Sequence, residues 1–221
     1  LAPLADAYLF EGYDFYLNIG GIANLSAQRD GQVIGFDIVP ANQVLNFLAA
    51  ELGLPYDTEG QIARNGTVNG DLLEQLRQAP YYQKAYPKSM ANEWIRTTVI
   101  PILIENELDI GDQLATTTEL IALELAAAIR QIRKEEAWPK ESARLLATGG
   151  GVFNTYLMDR IQTLLAAEKI ELVLPKKEII QFKESLLMSL LGLLRLEEEP
   201  NCWPELTGAK RATVNGAIFI S

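Results

Sequence analysis

Near the start of the chain, Leu17, Ile19, Ile22 and Leu25 place apolar side chains at the spacing of extended backbone. Val33, Ile34 and Phe36 resume that spacing after a polar interruption. Asp30-Gly31 marks the interruption as a tight turn, because Gly takes positive φ without penalty and Asp tolerates it. Residues 14–38 therefore read as two strands of a β-hairpin. The period then changes. Val44, Leu45, Leu48 and Leu52 recur at helical spacing, so Pro40 to Leu52 reads as a helix stopped by Gly53. Short helices are expected near Gln61–Arg64 and Asp71–Gln78. Pro80 to Ser89, with two prolines and three tyrosines, reads as an irregular loop. Asn92 to Ile104 is helical in pattern, with a kink or break at Pro101. The longest periodic segment is Asp112 to Arg133, where Leu114, Leu120, Leu123, Leu125, Ala128, Ile129 and Ile132 form a wide apolar face.

Further on, the apolar run Ala143–Thr148 stops at Gly149-Gly150-Gly151, and Phe153 to Leu165 is helical. Ile170 to Leu174 reads as a buried strand ended by Pro175, and Glu184 to Glu197 as a helix. Thr207-Gly208-Ala209 precedes a last helix or strand. Strands that alternate with helices after an initial hairpin predict an α/β architecture with a mixed sheet.

Composition narrows the chemistry. The 221 residues are 48% hydrophobic and 22% charged, enough for a sizeable core. The formal net charge of −10 disfavours nucleic acid and anionic membranes as partners. An anionic substrate would need backbone donors, a metal ion or a local positive patch. There is no histidine, which excludes Ser-His hydrolysis, His-ligated zinc and imidazole acid–base catalysis within this chain. Cys202 is the single cysteine, so no intrachain disulfide forms, and beside Trp203 it reads as a packing residue. Proton transfer falls to Asp or Glu. No signal peptide or membrane-spanning run is visible, and a cytoplasmic location is the expectation. Leu1 opens directly into Ala-Pro-Leu-Ala-Asp, as expected for a piece of a longer polypeptide.

Three constellations stand out. In the first, Gly20-Gly21 leaves the backbone bare near the hairpin entrance, where a phosphate can approach N–H groups, and Asp37 stands at the exit of the next strand. The same residues also suit a bulge and a helix N-cap. In the second, Gly149-Gly150-Gly151 lies between a strand and a helix with Asn154 in the first helical turn. This arrangement faces a nucleotide in many α/β proteins and also serves any tight strand-to-helix turn. In the third, Lys183-Glu184-Ser185 opens a helix, where a carboxylate is favoured by the macrodipole alone.

Together these blocks resemble the second lobe of the superfamily of acetate kinase, sugar kinases, heat-shock chaperones and actin. Within it the chain is most similar to the anhydro-N-acetylmuramic acid kinase family. The resemblance rests on Asn18 through Leu25, Gly35-Phe36-Asp37, Tyr56 through Gly60, Pro87-Lys88-Ser89, Gly149 through Asn154, Glu184-Ser185-Leu186 and Leu206 through Ala209, in that order. It covers essentially the whole chain.

What the resemblance implies is an actin-like ATPase lobe of ribonuclease H-like type. Its sheet would be mixed and flanked by helices. The implied enzyme uses ATP, Mg²⁺ and water to open 1,6-anhydro-N-acetylmuramic acid and to phosphorylate O6, in peptidoglycan recycling. Asp37 matches the catalytic base and Glu184 a sugar-contacting carboxylate. Gly20, Gly21 and Asn24 would lie toward the phosphates, while Gly149, Gly150, Gly151 and Asn154 would flank the nucleotide. Lys88 would either meet phosphate or be exposed. The metal ligands stay unassigned, and a homodimer is a candidate assembly.

The chain also departs from the family pattern. Ile38-Val39-Pro40-Ala41-Asn42 stands where Thr-Gly-Pro-Gly-Asn is usual, Asn46 where an Asp is expected, and Met90-Ala91-Asn92 where Thr-Gly-Arg precedes Glu93. The alternatives these leave open are an altered sugar substrate or a non-catalytic nucleotide- or sugar-binding relative. The implied domain division is residues 1–205 as the second lobe and 206–221 as a tail that packs on a first lobe. On that reading the 221 residues alone bind ATP weakly and do not turn over.

Overall fold

The Gly20-Gly21 pair does more than loosen a strand. It is a turn, and it splits the expected hairpin into a three-stranded meander. In the computed structural model, which describes residues 2–29, 32–138, 142–204 and 209–219, β1 (Phe15–Ile19), β2 (Ile22–Arg29) and β3 (Gln32–Pro40) run antiparallel in sequence. Ile19 pairs with Ala23 across the glycines, and Ile22 pairs with Pro40. Two strands become three because the extended spacing continues through Gly20-Gly21 without a break in its apolar rhythm. The Asp30-Gly31 tip lies outside the described residues, as do Leu206, Thr207 and Gly208.

Two parallel strands extend the sheet beside β1: β4 (Ala143–Thr148) and β5 (Ile170–Val173), giving the order β3-β2-β1-β4-β5. This is the arrangement of a ribonuclease H-like lobe, with the meander on one side and parallel strands on the other. β1 is central, and both of its faces are buried: Phe15, Leu17 and Ile19 on one, Tyr16 on the other. β5 is an edge strand, and only Ile170 in it is buried. β3 is the opposite edge, which tolerates Pro40 because an edge position needs no further N–H partner.

Helix α1 (Ala2–Leu9) precedes the sheet. Helix α2 (Asn42–Ala50) follows β3 and starts at Asn42 rather than Pro40, since Pro40 still pairs in the strand. The chain turns after α2 at Gly53, with φ of +72°. Helices α3 (Gln61–Asn65) and α4 (Gly70–Arg77) lie where expected. Buried Asp57 starts α3 by accepting from the N–H groups of Ile62 and Ala63, each at 2.9 Å. The next helical stretch is broken as Pro101 predicts: α5 (Asn92–Trp94), a π-turn at Ile95–Val99, then α6 (Ile100–Glu105). Pro101 has no N–H to give the preceding turn, so the ladder widens there.

Helix α7 (Ile110–Glu135) is the backbone of one layer and packs against α2, α3, α4 and β3. Helix α8 (Thr155–Ala167) packs on α7 and β5. Helix α9 (Lys177–Leu196) starts two turns earlier than expected, so Glu184 lies inside it rather than at its N-terminus, and the macrodipole does not explain that residue. Instead of a last helix or strand, an isolated antiparallel bridge joins Cys202 to Thr213. Residues 209–219 fold back toward α9, where Arg195 donates to the Gly216 carbonyl at 2.8 Å. No helix among the described residues is long and apolar enough to cross a membrane.

Candidate functional site

β1, β3 and β4 all end at the same edge of the sheet, because β4 runs parallel to β1 and the two reversals of the meander bring β3 back to that direction. This edge collects Gly20-Gly21 after β1, Asp37 near the end of β3 and Gly149-Gly150-Gly151 after β4. Asn24 pairs directly with Asp37 across β2 and β3, beside the irregularity at Ala23/Asn24.

Five groups hold Asp37. Its carboxylate accepts from Asn24 Nδ2 at 3.2 Å on Oδ1, and from Ser89 Oγ at 3.2 Å and the Met90 N–H at 2.8 Å on Oδ2. Its own N–H donates to the Lys88 carbonyl at 3.1 Å. Tyr81 Oη donates to the Asp37 carbonyl at 2.8 Å. Burial, with the Asp37 charge adding to it, pushes the Tyr81 phenol well up, so it stays a donor. The side chain of Asp37 is only half-buried, and Oδ1 keeps an acceptor position beyond the one Asn24 uses. This is a carboxylate fixed in direction yet open on one side.

The glycines divide into two kinds. At Gly149, φ is +88° and ψ 166°, a region essentially reserved for glycine, and an added Cβ would stand 2.6 Å from the Ile19 carbonyl oxygen. At Gly151 an added Cβ would overlap the Ile19 side chain. Packing against β1 therefore demands both residues. Gly20 and Gly21 differ: the nearest atom to an added Cβ is 3.7 Å away at each, and neither has positive φ. Gly150 is exposed, with its nearest atom 3.9 Å off. The fold does not require glycine at these three positions; the Gly20 N–H donates to the Ile22 carbonyl at 3.3 Å, so the open approach is at Gly21 and Gly150.

Asn154 serves the fold. It is the N-cap of α8, where its Oδ1 accepts from the Leu157 N–H at 2.9 Å, and it abuts Gly60. Glu184 is exposed on α9, next to buried Lys183, whose ammonium donates to Thr148 Oγ1 just before Gly149.

A family profile described as anhydro-N-acetylmuramic acid kinase matches residues 3–221. The chain belongs to the anhydro-N-acetylmuramic acid kinase family. A relative of that name from Gloeobacter violaceus is 33% identical over 208 residues, which is 91% of this chain and 54% of the relative. Another from Haemophilus influenzae is 32% identical over 238 aligned positions, 99% of this chain and 61% of that protein. The chain thus spans little more than half the length of these curated relatives. Among solved structures, a xylulose kinase from Rhodospirillum rubrum aligns with a TM-score of 0.48 at 15% identity, over 79% of this chain and 37% of that one.

The departures from the family pattern have structural counterparts. Ile38 and Val39 continue β3 and are buried, with 3% and 0% exposure, so they serve the core rather than the open edge. Asn46 is exposed on α2. The N–H groups of Ala41, Asn42 and Gln43 are spent on the Gly20 and Gly21 carbonyls, at 2.8 to 3.1 Å. The start of α2 therefore braces the glycine turn and is not itself an anion site.

For a divalent cation, no cluster of three or more carboxylate or thiol side chains exists among the described residues. Among the candidate site residues, the carboxylate at the open edge is Asp37. Those residues suit a Mg²⁺ held mainly by nucleotide phosphates and water, not a cation caged by protein alone.

Sequence reasoning missed three contributors. Tyr81 and the Met90 N–H sit in the irregular loop and its exit, where no periodicity marks a role. Asp6, which lies on α1 against the Lys183 ammonium, showed no signal at all. Lys88 resolves toward structure. Its ammonium donates to the Tyr81 carbonyl at 3.3 Å and lies 4.8 Å from the centre of that ring. Desolvation pulls the Lys88 ammonium below its usual range. Lys88→Met is expected to lower stability by about 1 kcal/mol through the lost hydrogen bond and cation–π contact. Nucleotide affinity should change less than about twofold, within the range of a residue outside the site. Thermal unfolding and titration with a non-hydrolysable ATP analogue check the two halves.

Proposed function

We propose that this chain is the second lobe of an ATP-dependent kinase that opens 1,6-anhydro-N-acetylmuramic acid hydrolytically and phosphorylates O6. The observation that carries the reading is Asp37, fixed by Asn24, Ser89 and Met90 at the sheet edge that also bears both glycine turns. Family membership supports the choice of substrate. The catalytic unit closes this lobe on a further one, with residues 206–221 at the junction.

In this mechanism Asp37 Oδ1 accepts a proton from water as the water oxygen attacks C1 of the anhydrosugar. The C1–O6 bond breaks, and O6 attacks the γ-phosphorus in line, with ADP as leaving group. The product is N-acetylmuramic acid 6-phosphate. A Mg²⁺ carried by the nucleotide phosphates would supply neutralisation of charge on the transferring group, and Asp37 would be left to act as the base. The backbone N–H groups of Gly21 and Gly150 would donate to phosphate oxygens, with Gly20 and Asn24 beside them. Gly149, Gly151 and Asn154 would shape the wall flanking the nucleotide, and Glu184 would contact the sugar near its anomeric centre. A cytoplasmic setting and self-association into a homodimer complete the proposal.

The test is a reaction with the full-length polypeptide in heavy-oxygen water, comparing anhydro-N-acetylmuramic acid with plain N-acetylhexosamines. The expected product carries the label on the C1 hydroxyl and none in the phosphate. Phosphorylation of plain hexosamines alone would reassign the chain to another sugar kinase, and no phosphoryl transfer to either would make it a binding relative. A second expectation concerns the open glycines. Gly20→Ala and Gly21→Ala should unfold within about 2 °C of the parent. Both should nonetheless raise KM for ATP about tenfold, because a methyl occupies the space of a phosphate oxygen.

A further inference from the structure

Helix α9 carries Glu184, and apolar packing holds that helix only in part, through Leu194 and the half-buried Ile180, Leu187 and Leu191. Only Lys183 and Leu194 are buried among its residues. Phe182, Leu186, Met188, Leu193 and Leu196 are all exposed. The firm attachment is ionic. Lys183 Nζ lies 2.6 Å from Asp6 Oδ1 on α1, with side-chain exposures of 8% and 3%. It also donates to Thr148 Oγ1 at 2.7 Å. The Thr148 hydroxyl in turn donates to the Leu17 carbonyl in β1 at 3.2 Å. Thr148 immediately precedes Gly149. One ammonium therefore ties α1, α9 and the end of β4, and through a hydroxyl it reaches β1 just before the Gly20-Gly21 turn.

Burying two charges is costly, and an apolar pair of similar volume often stabilises a fold as well or better. What an ion pair adds is direction. Apolar contacts let a helix slide or rotate with little penalty, whereas an ammonium that must meet both a carboxylate and a hydroxyl permits one register. Successive helical residues point about 100° apart, so fixing Lys183 fixes the outlook of Glu184.

We propose that Lys183 is a positioning residue: through Asp6 and Thr148 it sets the register of α9 and so holds Glu184 at the sheet edge that bears the glycine turns. The part concerning Glu184 rests on the kinase reading above. The test uses the full-length polypeptide. Asp6→Asn or Lys183→Met alone strands a buried charge and is expected to lower Tm. The double variant removes both charges and is expected to recover to within about 3 °C of the parent.

Two readouts are then taken on the double variant. Amide exchange across residues 177–196 should quicken about tenfold while β1 and β2 exchange as in the parent. KM for the anhydrosugar should rise about tenfold, and KM for ATP less than about threefold. Parental exchange in α9 together with parental sugar KM overturns the proposal, because the pair is then only part of the packing. An equal rise in both KM values with unchanged α9 exchange also overturns it, since the lesion then lies beneath the Gly149 turn. If the parent protein does not phosphorylate the anhydrosugar, the kinase reading fails while the exchange arm still judges Lys183. Should the double variant not fold, Asp6→Glu keeps both charges and shifts the carboxylate by one methylene, and the same two readouts decide.

Discussion

Asp37→Asn is expected to reduce kcat for anhydrosugar phosphorylation about 10³-fold, within the range that a positioned general base contributes, while leaving ATP affinity within about threefold. The substitution keeps size and shape. Asn can still accept from the Met90 N–H and Ser89 Oγ through one oxygen, as Asp37 Oδ2 does now. Its amide nitrogen would then face Asn24, whose own amide can turn to present its oxygen instead. The fold should therefore survive, and what disappears is the lone pair on Oδ1 that takes the proton. Single-turnover kinetics with the full-length protein, beside calorimetric titration with an ATP analogue, separate the two effects. A variant that retained more than about a tenth of the parental kcat would remove Asp37 from the role of base. A large loss of ATP affinity would instead place the carboxylate chiefly at the phosphates.

The largest effect on stability is expected from Gly149→Ala, at about 3 kcal/mol or more. Two costs add. The backbone there has φ of +88° and ψ of 166°, which a residue with a side chain adopts only under strain. The new methyl would also meet the Ile19 carbonyl oxygen at 2.6 Å and the Ile19 nitrogen at 2.8 Å. Ile19 belongs to the central strand and is fully buried, so it cannot move aside without disturbing the sheet. For a chain of this size the loss corresponds to a fall in Tm of about 6–12 °C. Gly150→Ala, one residue on, has open space around it and should shift Tm by no more than about 2 °C. Paired melting curves check this contrast. Equal stability of the two variants would mean that the turn relaxes and that close approach to β1 does not constrain it.

This contrast bears on how the glycines of the chain are read. Gly20, Gly21, Gly149, Gly150 and Gly151 look alike in sequence, and all were expected near phosphate or nucleotide. The fold separates them: two are required by the approach of β4 to β1, and three are left open. A similar division runs through the polar residues. Asn154 is a helix cap, and Lys88 is turned toward Tyr81. Asp37 combines several fixed contacts with an open side.

By itself the sequence determined the α/β class, most element positions and the family, and it offered Asp37 and Glu184 as candidate carboxylates. It could do so because period, turn residues and ordered motifs are local, and each local conformation leaves its own pattern. The register of the sheet was not legible in it, nor the third strand hidden behind an unbroken apolar rhythm. The early start of α9 was hidden too. Least visible were the bonds between distant residues: Asn24 and Ser89 on Asp37, Asp6 and Thr148 on Lys183. Such pairs are made only when β1, β3, β4 and the flanking helices converge on one edge. Their geometry depends on the packing of the whole layer, and no short stretch of chain carries it.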